Sequence, residues 1–491
     1  MDDGEQHDSG IQNAERPCTA VRRSSVAVPI FQWKFDAVGP VMAYQLPSHP
    51  SRLCQDPLGI CDESPATTVW DVISTAVSAV ARTSAPSRDR LPDLIETLVY
   101  SVHGNGSVDT RGLRSFLGKS HPHPSFYTAL CSAALSLPEL FPSHEIPYLN
   151  DENRGLELTT GQLNALLAHQ TLGTLDRAIG GWDYPTFLCW YAGDNPHSMA
   201  AEGYLTTLFH HFSNLEAYPP CWQVRVLFFE VSQAEEVCWE SSDKTMQLAF
   251  IPIDEENEPS VPDTGLQAPA VVVSSNRQPG FGPSGTQEER IFSMSILLCP
   301  LILCCPTLPQ KTALVVSPTP IHAAWRGHNR TARLTSLYPV AERPLRYHVF
   351  LDALELDNYD QRSPGLPDLA ADHVERELRK FYTGCIGLRA LCAPLPPPVI
   401  EVGPWGCGAF CGNVVVKATV MAMAASQAGV QLELRLRKDR SRDSELIARV
   451  MEARLTVGGV ATALKRHCEE FGSCEDAEAF VQLLLDKATG S

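Results

Sequence analysis

The sequence predicts an α/β protein, a three-layer domain standing behind a helical one, and three observations point there. From Val69 to about Phe212 apolar residues recur at helical spacing. From Val224 onward short β-branched runs alternate with helical stretches, the signature of a sheet covered by helices. Two glycine-rich turns follow strand-like runs, where an α/β domain places its site.

In the helical part, Thr159-Thr160-Gly161-Gln162 has capping-box form, and Leu163, Leu166 and Leu167 continue one face. Tyr204 to Phe212 repeats the pattern through Leu205, Leu208, Phe209 and Phe212. His210 and His211 are adjacent there, point to different faces and make a poor metal pair. In the second part, strands are expected at Val224–Val231, Ala270–Val273, Thr312–Val316, Tyr347–Asp352 and Val399–Val402. Leu432, Leu434 and Leu436 alternate with Glu433, Arg435 and Arg437, the period of a half-buried strand. Val374, Leu378, Phe381 and Tyr382 share a helix face, and Asn413 to Ala428 is a helix with an Asn start and a Gly429 stop. Residues 258–285 form a Pro- and Gly-rich loop region around one strand, and no internal repeat is visible. The expected organisation is a mostly disordered segment over 1–64, a helical accessory domain over 65–215, and an α/β domain over 216–491.

Composition narrows the function. The chain has 491 residues, with 39 Lys and Arg against 57 Asp and Glu, a formal charge of −18. That balance opposes sequence-independent binding to a phosphate backbone, but allows a polyanion held in a shaped pocket by backbone N–H groups. Sixteen Cys are scattered, with no CxxC pair, and the start Met-Asp-Asp-Gly-Glu lacks the features of a signal peptide. Reduced thiols in an intracellular protein are therefore expected. The longest apolar run, Ile296 to Cys305, is interrupted by Pro300 and is too short to cross a bilayer.

Two loops carry candidate chemistry. Ser274 to Glu289 contains Gly280, Gly282 and Gly285 and ends in Glu288–Glu289. Its glycines permit close approach of a diphosphate, and a carboxyl group beside it suits protonation of a leaving oxygen. Adjacent Glu side chains point in different directions, so the pair does not flank one bond, and a plain loop with two solvated Glu is the competing reading. Gly403 to Gly412, reading Gly-Pro-Trp-Gly-Cys-Gly-Ala-Phe-Cys-Gly, runs into the Asn413 helix and reads equally as an anion cradle or a structural turn. Cys407 has no His nearby in sequence to activate it as a nucleophile.

Together these loops resemble the poly(ADP-ribose) glycohydrolase family. Gln287-Glu288-Glu289 behind a glycine-containing loop, then Trp405-Gly-Cys-Gly-Ala-Phe410, carry the resemblance. Leu158–Leu175, Leu351-Asp352-Ala353-Leu354, Glu375–Thr383, Asp443–Leu446 and Arg454–Gly458 match in the same order, over roughly residues 65 to 480. The resemblance implies a macrodomain-like three-layer α/β core with an N-terminal helical accessory domain. It implies hydrolysis of ribose–ribose bonds in poly(ADP-ribose), with Glu289 as the catalytic acid and Glu288 and Asn276 on ribose hydroxyls. Gln287 would orient the terminal unit, His328 falls where a Tyr stacks on adenine, and Trp405, Gly406, Cys407, Gly408, Ala409 and Phe410 would cradle the diphosphate. No metal or cofactor is implied. The implied partners are poly(ADP-ribose) and ADP-ribosylated proteins, with no sequence-specific nucleic acid and no membrane, for a monomer in nucleus or cytoplasm.

Departures accompany the match. Val273 stands where the family has Asp, Pro279-Gly280-Phe281-Gly282 replaces a glycine triplet, and Ser441 replaces a Phe. Pro279 removes an N–H and Phe281 adds volume in a diphosphate loop. The alternative expectation is therefore a catalytically weakened ADP-ribose-binding module.

Overall fold

In the computed structural model, the described residues are 43–61, 67–82, 89–104, 108–120, 123, 125–215, 222–231, 237–254, 269–357, 365–470 and 474–488. Residues 1–42 and 62–64 of the segment expected to be disordered lie outside them, as does 255–268 of the Pro/Gly region. Residues 43–61, in contrast, take up defined turns and strands.

The first half is helical: α1 (Val69–Ala81), α2 (Arg90–His103), α3 (Arg111–Lys119), α4 (Ser125–Leu135), α5 (Leu137–Leu140), α6 (Thr160–Leu172), α7 (Leu188–Tyr191) and α8 (Ser198–Ser213). Thr159 caps α6 as its sequence predicts: its side chain accepts from the Gln162 N–H while Gln162 reaches back to the Thr159 N–H. Helix α6 is buried along nearly its whole length, so it is the central post of this half. Short strands accompany the helices: β1 (Ala43–Gln45), β2 (Leu53–Cys54), β3 (Thr67–Thr68), β4 (Glu145–Pro147) and β5 (Gly155–Thr159).

The second half supplies β6 (Gln223–Glu230), β7 (Ala249–Ile253), β8 (Ala270–Ser275), β9 (Thr312–Pro320), β10 (Ala323–Arg326), β11 (Arg333–Leu337), β12 (Leu345–Asp352), β13 (Ile400–Val402) and β14 (Leu432–Arg437). Its helices are α9 (Gln287–Met294), α10 (Ala371–Cys392), α11 (Val414–Ala428), α12 (Ser441–Glu452), α13 (Val457–Glu470) and α14 (Ala477–Ala488). One eight-stranded sheet has the order β5-β6-β9-β12-β8-β13-β14-β7, parallel from β12 to β7 and antiparallel from β5 to β12. The expected strands are all present. Two more enter the same sheet: β7 at one edge and, from within the helical half, β5 at the other.

Because successive side chains of a strand face opposite ways, the sheet separates two cores. Val271, Val273 and Phe350 pack with α6, α8, α9 and the apolar run, while Ala270, Val272, Val349 and Leu351 pack with α10 and α11. These are helices on both faces of a sheet, the three layers the sequence predicts. The run Ile296–Leu303 forms a fully buried 3₁₀ helix against α6, where the Gln170 amide donates to the Cys299 carbonyl at 3.1 Å. No helix among the described residues is long and apolar enough to cross a membrane. Thirteen Cys among the described residues are not in disulfides.

Candidate functional site

Strand β8 ends at Ser275, and its neighbour β13 ends sooner. Ala270 donates to the Val399 carbonyl, so the same-parity groups of Val272 and Ser274 face the β13 flank. With β13 ending at Val402, a side chain takes over there. Gln287 accepts from the Ser274 N–H at 2.9 Å and donates to the Val272 carbonyl at 2.9 Å. Its amide replaces a missing strand partner and fastens the start of α9 to β8. The part foreseen for Gln287, orienting a terminal sugar unit, needs this amide, which is already engaged.

Thr286 caps α9, and Glu289 completes the capping box. The Glu289 carboxylate accepts from Ser284 Oγ at 2.5 Å and the Thr286 N–H at 3.1 Å, is 8 % exposed, and lies against Gly282. Glu288 turns the other way, as adjacent helical residues must. It accepts from Ser275 Oγ at 2.7 Å, the Asn276 N–H at 3.1 Å and the Gly280 N–H at 3.1 Å. Burial pushes its carboxyl up to about 8, against the opposing pull of those three donors. Glu288 is held from three sides by the loop that precedes it. Asn276 is half-buried, its Oδ1 accepting from the Gln278 N–H at 3.0 Å.

The helical half holds the glycine loop by its carbonyls. Trp190 donates to Gly282 O at 3.0 Å, Asn195 to Pro283 O at 3.2 Å and Tyr204 to Ser284 O at 2.5 Å. In a trans peptide the N–H opposes the preceding C=O, so the N–H groups of Ser284 and Gly285 point away from the helices. A side chain at Gly280 would strike the Trp182 ring. Phe281, foreseen as extra bulk in the loop, is fully buried, with ring centroids 4.8 Å from Phe187, 5.4 Å from Trp190 and 6.1 Å from Phe292. Val273, in the place of an Asp, is likewise buried in apolar core.

The second loop leaves the carboxyl end of β13, next to β8. Trp405 is fully buried and donates to the Leu351 carbonyl at 3.0 Å. Gly406 has φ +75, and a Cβ there would meet Ala353. Within the loop, Cys407 N–H donates to Pro404 O at 3.0 Å and Gly412 N–H to Gly406 O at 3.0 Å. The N–H groups of Gly408, Ala409 and Phe410 have no acceptor among the described residues, and Gly408 and Ala409 are exposed. Asn413 caps α11 as its sequence predicts, accepting from the Val415 and Val416 N–H groups. Burial pushes the Cys407 thiol far up, so it is no nucleophile.

Both loops therefore leave the same edge of the sheet, from neighbouring parallel strands, with Phe281 and Trp405 anchored in different cores. Among the described residues no hydrogen bond joins Glu288 or Glu289 to residues 405–410. His328 is exposed at the tip between β10 and β11, and that tip joins the first loop where Asn329 N–H donates to Gly285 O at 2.8 Å. Ser441 opens α12. No group of three or more His, Cys, Asp or Glu suited to a metal occurs among the described residues.

A mixed sheet with helices on both faces and loops at the carboxyl ends of parallel strands defines a macrodomain-like α/β protein. Residues 237–443, which include both loops, match the family described as poly(ADP-ribose) glycohydrolase (PARG), macro domain fold. It is also similar to the glycohydrolase of Thermomonospora curvata, at 12% identity, covering 52% of this chain and 99% of that one with a TM-score of 0.34. The Deinococcus radiodurans glycohydrolase in complex with ADP-ribose is 14% identical, over 43% of this chain and 86% of that one, with a TM-score of 0.30. At such scores the two likenesses carry no weight beyond the family match.

Proposed function

We propose that this chain is a poly(ADP-ribose) glycohydrolase, releasing ADP-ribose by hydrolysis of ribose–ribose O-glycosidic bonds. One observation carries the reading: a pair of Glu at the first turn of α9 and a row of free N–H groups at 408–410 stand at the carboxyl ends of adjacent parallel strands. In this reading residues 216–491 are the catalytic domain and 65–215 the helical accessory domain, which grips the catalytic loop through Trp190, Asn195 and Tyr204.

The chemistry follows from the carboxyl groups. Glu289, protonated, gives its proton to the departing ribose oxygen as the C–O bond breaks; its carboxylate then takes a proton from the water that attacks the oxocarbenium-like carbon. Substrate must first displace its bonds to Ser284 and Thr286. Glu288 and Asn276 hold ribose hydroxyls, and the Trp405–Phe410 backbone takes the diphosphate. ADP-ribosylated proteins and the free polymer are the partners, for a monomer in nucleus or cytoplasm.

A second reading, an ADP-ribose-binding module, is favoured by the buried Phe281 and by a Glu289 carboxylate already held by two donors. ADP-ribose release from polymer by wild type and Glu289→Gln, beside calorimetric binding of ADP-ribose, decides between them. The enzyme loses about 10²- to 10⁴-fold in release with binding kept. Binding without release by wild type favours the module, and equal release by both proteins removes Glu289 as the acid.

A further inference from the structure

We infer that the buried ion pair Glu377–Lys417 positions the 403–413 loop, and that Lys417 is a positioning residue for whatever anion that loop holds. The inference rests on reading the loop as a diphosphate cradle.

The observations converge on one carboxylate. Glu377 on α10 and Lys417 on α11 are 2 % and 1 % exposed and form a direct salt bridge. The other Glu377 oxygen accepts from the Leu354 N–H at 3.1 Å, so the same side chain also fixes the loop that follows β12. That loop is tied to the cradle in turn, for Leu356 N–H donates to Phe410 O at 3.0 Å. Arg376 donates to the Asp352 carbonyl at 2.7 Å and to the Glu377 carboxylate, which keeps the hub neutralised from a second side.

Lys417 meets the cradle itself. Its Nζ lies 5.3 Å from the centroid of the Trp405 ring, a cation–π contact. Its stem fills the space beneath Gly406 and Gly412: an added Cβ would come 3.5 Å and 2.8 Å from Lys417 Cε, respectively. Asp368, 3.8 Å from Lys417 Nζ, accepts the Asn413 N–H at 3.0 Å and so anchors the far end of the loop. The loop thus has its entry (Trp405, Gly406) and its exit (Gly412, Asn413) built around one ammonium, and residues 408–410, whose N–H groups have no acceptor among the described residues, span the arch between them. Removing Lys417 takes the cation from the Trp405 ring and the ammonium from beside Asp368, so entry and exit of the arch lose their common support.

The test compares wild type, Lys417→Met and the double variant Glu377→Gln/Lys417→Met, which removes both charges and guards against a single variant that fails to fold. Amide hydrogen exchange is read at Cys407, Gly412 and Asn413, whose N–H groups are bonded, and at Ala422–Ala425 inside α11. Exchange about tenfold faster at the loop amides, with α11 unchanged, is the expected result in at least one variant. Unchanged loop exchange in both variants overturns the inference, and so does an equal rise in α11. The second arm is calorimetric binding of ADP-ribose and of adenosine, which lacks a diphosphate. ADP-ribose affinity is expected to fall about ten- to hundredfold and adenosine affinity to hold. Equal losses for both ligands make the pair a general support and overturn the inference. If wild type binds no ADP-ribose, the cradle reading fails by itself, and the exchange arm alone judges the pair.

Discussion

The Trp190 indole N–H donates to the Gly282 carbonyl at 3.0 Å, joining a helix of the first half to the glycine loop beside Glu289. Trp190→Phe keeps an aromatic ring but leaves that buried carbonyl without its donor. A loss of about 1 to 3 kcal/mol in unfolding free energy is expected. Urea denaturation measures it, and an unchanged midpoint would show that the bond is not formed in solution.

Phe281 tests how tightly the loop is shut. Its ring lies among Phe187, Trp190 and Phe292, so Phe281→Ala should cost about 3 to 5 kcal/mol, the range for emptying a buried aromatic site. A cost below about 1 kcal/mol in the same denaturation would mean that the ring leaves its pocket readily.

Glu288 gives a pH signature. Its carboxyl is raised from an ordinary 4.5 to about 8, so the folded state holds the proton more tightly than the unfolded one. Its contribution to stability is full below 4.5 and is lost as the pH rises through 8. Stability measured across this window should fall less steeply toward alkaline pH in Glu288→Gln than in wild type. Parallel curves would place Glu288 in water.

The histidines act in the opposite direction. Burial lowers His169 to about 4 and His322 and His348 to about 3, and it lowers His211 strongly as well. Their neutral forms are the native ones, so the stability they confer is complete above the usual His value of 6.5. It drains away as the pH falls from there toward 3. Thermal unfolding at pH 7 and pH 5 should give a lower midpoint at pH 5. His322→Gln should narrow that gap, and an unaltered gap would exclude His322 as a contributor.

Local signals made much of this legible. Thr159 with Gln162, and Asn413 with Gly429, announce helix ends because a cap depends on residues within a turn of each other. Leu432, Leu434 and Leu436 announce a strand by alternation alone. Strand β7 carries Pro252, which an edge strand tolerates but which breaks the usual strand signal. Strand β5 is five residues long with only Leu158 fully buried, too little pattern to stand out. In the site, residue types and loop positions could be read from the sequence, whereas the turning of Glu288 under its loop could not. That orientation is held by Ser275, Asn276 and Gly280, which the path of the loop, and not helical spacing, brings to the carboxyl group. Glu377 and Lys417 gave no signal either: 40 positions separate them, and only the packing of α10 on α11 brings them together.

Strand β5 has a practical corollary for anyone dividing this chain. It covers one flank of β6 along Gly155–Thr159. Cutting at residue 216 to isolate the α/β half would uncover the apolar-rich Gln-Val-Arg-Val-Leu-Phe-Phe-Glu segment along a bare margin of unbonded peptide groups. Such margins recruit strands from other molecules. The shortened polypeptide would tend to self-associate into insoluble material, whereas one that begins before Gly155 carries its own protective border.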